Sequence, residues 1–142
     1  MQYPLKEKIG DPDLLVGREK EFAHFRKWIA GMPRELSKSR AILGWRKSGK
    51  TTFVQRLFNE IWSANGQVIP FFYSIPEYKV WYPDFAVSYY RTFATQYISF
   101  LERDAAMVRD EPLTLEQIKA YGEANSMLPL KIAHEPKSSK LK

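Results

Sequence analysis

Residues 40–52 read RAILGWRKSGKTT, and this stretch decides the expected fold. Gly44-Trp45-Arg46-Lys47-Ser48-Gly49-Lys50-Thr51 is a full match to G-x-x-x-x-G-K-S/T, the phosphate-binding loop, which needs a strand before it and a helix after it. Chance supplies such a match in on the order of one chain in a hundred of this length, or fewer. The chemistry follows from the residue types. Gly44 and Gly49 permit backbone angles that a side chain would forbid, so the amides of Trp45, Arg46, Lys47 and Ser48 can curl into a concave nest aimed at one anion. The nest opens into a helix amino terminus, with its unpaired amides and partial positive charge. Lys50 can then reach the β and γ phosphates of a nucleotide, the Thr51 hydroxyl can ligate Mg²⁺, and Thr52 is placed for the α phosphate. Arg46 and Lys47 act here through their amides, with side chains expected in solvent.

Outward from the loop, Arg40 to Leu43 reads as the strand that enters it. Thr51 to Ala64 places Phe53, Val54, Leu57, Phe58, Ile61 and Trp62 in one apolar stripe, and Asn65-Gly66 stops that helix. Gln67 to Ile75 (QVIPFFYSI) is rich in β-branched and aromatic residues without helical period and reads as a second, buried strand, although Pro70 removes a ladder donor. Upstream, Arg18 to Ala30 spaces Phe22, Phe25, Trp28 and Ile29 as an amphipathic helix with Glu19 and Glu21 in its first turn. Downstream, Asp84 to Arg103 carries a long aromatic face, expected to be core. Thr114-Leu115-Glu116-Gln117 opens a last helix with a capping box that should stop near Gly122. Met127 to Ile132 is a weak strand candidate broken by Pro129, and a basic tail follows. The expected organisation is an extended lead-in over 1–13, a nucleotide-binding domain over 14–126 and a weakly structured tail over 127–142.

Leu14-Leu15-Val16-Gly17-Arg18-Glu19-Lys20-Glu21, one helix, then a strand and GWRKSGKTT together resemble the amino-terminal end of AAA+-like ATPases of the STAND and archaeal-ATPase kind. The resemblance covers about Leu14 to Ile75. It implies an α/β fold with a parallel-sheet αβα core, ATP and Mg²⁺ as ligands, a nucleotide-dependent switch as the function, and Val16, Gly17 and Arg18 beside the adenine. The second acidic site of those families, four apolar residues ending in Asp-Asp or Asp-Glu, does not occur here. Glu77 follows an apolar stretch but sits behind Pro76, at the wrong strand in the family order. Hydrolysis by this chain is therefore expected to be negligible and the sheet incomplete, either as the front piece of a larger ATPase, whose further domains or continuing chain would be partners, or as a reduced domain that closes its sheet another way.

Composition sets the outer limits. The chain has 142 residues, 44% hydrophobic, 15% aromatic and 27% charged, which suits one packed domain rich in rings. It has no cysteine and two histidines, His24 and His134, so thiol chemistry and Cys or His metal centres are not expected. No apolar run is long enough for a signal peptide or a membrane span, and a cytoplasmic address is expected. The net charge of +6 keeps open a nucleic-acid-binding or adaptor module whose basic loop contacts backbone phosphates.

Overall fold

A computed structural model describes residues 1–35, 38–75 and 81–127. Five helices run through them: α1 Glu19–Gly31, α2 Lys50–Ala64, α3 Tyr82–Glu102, α4 Ala106–Arg109 and α5 Leu115–Ala124, with short 3-10 turns at Pro12–Leu14 and Met32–Arg34. The four longer helices lie where hydrophobic periodicity puts them, to within two residues at each end. Their ends follow local chemistry. Asn65 and Arg103 close α2 and α3 in the left-handed conformation, while Thr114 and Gln117 form the reciprocal capping box at the start of α5.

Packing proceeds outward from α2. Toward α1, Phe53 and Leu57 meet Phe22, with Phe25, Ile29, Ile42 and Val54 around them. The Phe22 and Phe53 rings lie 4.4 Å apart, and burying each such side chain stabilises the fold by about 1.5–3 kcal/mol. Toward α3, Phe58 and Trp62 pack with Phe100, and the Arg103 guanidinium lies 3.8 Å from the Trp62 ring centre, a cation–π contact over a fully buried indole. On the other side of α3, Ala94 and Ile98 meet Ile118 of α5. The aromatic face of α3 carries a second layer, as Phe71 and Tyr73 set their rings edge-on against Tyr89.

A further stripe of α2 is polar, buried at Gln55 and Asn59 and half-buried at Ser63. Gln55, Asn59 and Ser63 recur every four residues, and each takes backbone groups of the amino-terminal segment. Lys8 N–H donates to Gln55 at 2.8 Å. Leu5 both donates to and accepts from Asn59, each at 2.9 Å, and Gln2 does the same with Ser63. Glu7, 3% exposed, accepts two bonds from Arg56, at 2.7 and 3.0 Å, and one from Asn59. Those bonds raise the Arg56 pKa against the opposing pull of burial. The lead-in, which bends in a turn at Glu7–Gly10 and ends in the 3-10 turn at Pro12–Leu14, is strapped to α2 through a side-chain ladder in place of a sheet.

The expected α/β fold is overturned. Among the described residues there is no strand and no sheet, and the architecture is helical. Arg40–Leu43 and Gln67–Ile75 lack helical structure, as expected, yet no hydrogen-bond ladder joins them to each other or to any described segment. The reason is physical. A strand exists by pairing, and neither candidate has a backbone partner among the described residues. Pro70 removes one donor, and the Gln96 side chain of α3 takes both backbone groups of Phe72, at 2.8 and 2.9 Å. Leu43, a core position in the expected sheet, is 90% exposed. The weak strand expected from Met127 and the tail beyond it lie outside the described residues apart from Met127 itself, and so does Glu77. No described helix is long and apolar enough to cross a membrane.

Candidate functional site

The loop that precedes α2 is a closed turn. Ser48 N–H donates to the Trp45 carbonyl at 3.2 Å, and Lys47, third in that turn, sits at φ +63°. Gly49 is the cap residue of α2 at φ +77°, a conformation that a side chain would strain. Gly44 is different. Its φ is not left-handed, and an added Cβ would meet the Ser48 Oγ at 3.0 Å, a tight contact that rotation of the hydroxyl relieves.

Lys50 folds back into this turn. Its ammonium donates to the Gly44 carbonyl at 2.6 Å and to the Trp45 carbonyl at 2.7 Å, with the Ser48 hydroxyl at 3.5 Å. The cation thus occupies the concavity by drawing on the loop's own dipoles. Phosphate oxygens carry full charge and accept more strongly than neutral carbonyls, so an incoming anion can compete for the same three donors. Behind Lys50, no side chain caps α2. Phe53 N–H reaches the Gly49 carbonyl, while the amides of Lys50, Thr51 and Thr52 have no acceptor among the described residues. These are the orphan donors of a helix start.

The box upstream comes to the same place. Gly17 and Arg18 are consecutive left-handed residues, at φ +79° and +62°. The conformation costs a non-glycine residue on the order of 1–3 kcal/mol, and here it aims the Arg18 guanidinium across to the loop. Arg18 Nη2 donates to the Ser48 carbonyl and lies 3.8 Å from where a Cβ on Gly49 would be. The resemblance implies that Arg18 lies beside the base. In the folded chain its side chain touches the loop before α2. No residue spacing announces this, because it depends on the two left-handed residues, of which only Gly17 is recognisable beforehand.

The remaining expected residues are distributed as follows. Trp45 is 89% exposed and Val16 82%. Arg46 and Lys47 are exposed, and Thr51 is half-buried at the first turn of α2. Thr52 is buried, so its hydroxyl does not open toward the loop mouth as freely as that of Thr51. A Mg²⁺ ion that keeps most of its shell from phosphate oxygens and water needs only one or two protein ligands. Thr51 suits that role, and no larger cluster of His, Asp or Glu forms among the described residues. None of the loop's hydrogen bonds among those residues involves a carboxylate.

No protein-family model, curated protein or solved structure matches the chain.

Proposed function

We propose that residues 44–52 bind ATP with Mg²⁺, and that the chain works as a nucleotide-dependent switch in the manner of AAA+- or STAND-like ATPases. The observation that carries this reading is the placement of Lys50, an ammonium held at the centre of a glycine-bounded turn directly before the uncapped start of α2. A loop of this kind stabilises a polyphosphate through one mobile cation and several fixed amides. Thr51 supplies the metal-facing hydroxyl. Val16, Gly17 and Arg18 border the nucleotide, with Arg18 on the phosphate side. The absence of an apolar run ending in paired acids from the sequence goes with binding and negligible turnover by this chain.

A second reading has its own observation. Trp45 is almost fully exposed beside exposed Arg46 and Lys47, and a bare ring among cations is the pairing that stacks and neutralises single-stranded nucleic acid. Salt separates the two readings. Binding of a fluorescent oligonucleotide through backbone phosphates falls steeply between low and high salt and tolerates Lys50→Ala. Binding of Mg-ATP requires both Lys50 and the metal, and raises the melting temperature by linkage. A melting temperature unmoved by millimolar Mg-ATP, beside tight salt-sensitive binding of the oligonucleotide, would replace the first reading with the second.

A further inference from the structure

The two stretches that fail to become strands border a single apolar groove of about 340 Å³, lined among others by Ile29 of α1, Val54, Leu57 and Ile61 of α2, and Ile42 and Val68 from the stretches themselves. Arg40 is the one charged residue among its described lining. The Arg40 guanidinium has no hydrogen bond or ion pair, and the backbone groups of Arg40 to Leu43 have no hydrogen-bond partner, among the described residues. A run of unpaired amides and carbonyls beside an apolar trough is a template for an added strand, whose backbone pairs with the edge while alternate side chains fill the trough.

We propose that this groove is a strand-addition site for a partner polypeptide, which lays an extended apolar segment along Arg40–Leu43 and sets a carboxylate side chain against Arg40. Charge complementarity selects the occupant. An unpaired guanidinium that is the one charge lining this groove among the described residues and borders a second pocket with Lys27 and Arg34 is matched by Asp or Glu. Pairing of the groove's own bordering stretches between two copies would not supply one, because neither 40–43 nor 67–75 contains an acidic residue. The apolar stretch 127–132, MLPLKI, brings Lys131 and a proline instead. The edge is available where it is needed, since Phe72 on the opposite border is already satisfied by Gln96 and Pro70 has no donor, leaving Arg40–Leu43 to supply the pairing. The inference is independent of nucleotide binding.

The test uses the intact chain without nucleotide and fluorescein-labelled, capped peptides of sequence Glu-Thr-Val-Thr-Val-Thr-Ile, in which the acid and the apolar residues share one face, with a Lys-first version as control. Fluorescence anisotropy should show the Glu peptide binding about tenfold more tightly than the Lys peptide, the size of one ion pair exchanged for one repulsion. Arg40→Glu alters an exposed residue with no partner to lose, and it should reverse the order. N-methylation of alternate amides in the Glu peptide should abolish binding. Equal affinity for both peptides, binding that survives N-methylation, or no binding of either at millimolar concentration would each overturn the proposal. So would a dimer seen by sedimentation that shields the groove from both.

Discussion

Lys50, Gly49 and Arg18 show how much of the candidate site depends on single residues. Gly49 holds φ +77° with open space around its missing Cβ apart from the Arg18 guanidinium. The cost of a side chain there is therefore conformational. Gly49→Ala should destabilise the chain by about 1–2 kcal/mol, the price of left-handed geometry in a non-glycine residue, read from urea unfolding. An unchanged midpoint would mean that the loop relaxes to another turn. The special backbone angle of Gly49 was legible from the motif, because it follows from residue type at fixed spacing, whereas the bonds of Lys50 to the Gly44 and Trp45 carbonyls were not. The Arg18 contact was not, since it requires Arg18 itself to adopt an angle that its side chain disfavours. The backbone freedom expected of Gly44 is not used, as its φ is not left-handed.

At the scale of elements, α2 is the organising helix and has two functional faces. Its apolar stripe was plain in the sequence, while its polar stripe of Gln55, Asn59 and Ser63 was not, because buried polar residues announce themselves only once a partner backbone is known. Glu7 belongs to that partner segment, and its carboxylate is nearly inaccessible beside Arg56. Glu7→Ala leaves the guanidinium without its charge partner and should cost about 3 kcal/mol in urea or thermal unfolding, as the breaking of buried pairs does. A loss below about 1 kcal/mol, typical of exposed pairs, would show that the amino-terminal strap is peripheral. A second test lies between α3 and α5. The Tyr121 hydroxyl donates to Glu102, and burial first, then that bond, push the phenol up to about 12. The unfolded value is near 10, so the stabilising contribution is complete below about pH 10 and is lost as pH rises toward about 12. Tyr121→Phe should therefore flatten the fall in stability across that window, measured by denaturant titration at successive pH values. Parallel curves for the two proteins would remove Tyr121 from the alkaline transition.

Over the whole molecule, helices were legible and the layering was not. Periodicity placed α1, α2, α3 and α5 because a helix satisfies its own backbone and its apolar stripe is a local property. The two strand candidates had the right composition, but a sheet is a relation between segments, and composition carries no information about whether a neighbour is present. In place of a sheet, side chains of Gln55, Asn59 and Gln96 meet backbone groups of extended segments, and the edge at Arg40–Leu43 is left open. The loop before α2 keeps its turn, its left-handed Gly49 and its central Lys50 without that sheet, so the nucleotide binding proposed for it would rest on the loop, Arg18 and the start of α2. Isothermal calorimetry of Mg-ATP into the intact chain and into Lys50→Ala addresses this most directly. Loss of charge-assisted bonds worth about 1.5–3 kcal/mol should weaken binding about tenfold or more, with a further loss when the metal is chelated. Equal affinities for the two proteins, or no heat of binding with the unaltered chain at millimolar Mg-ATP, would contradict the assignment of residues 44–52 as the nucleotide site.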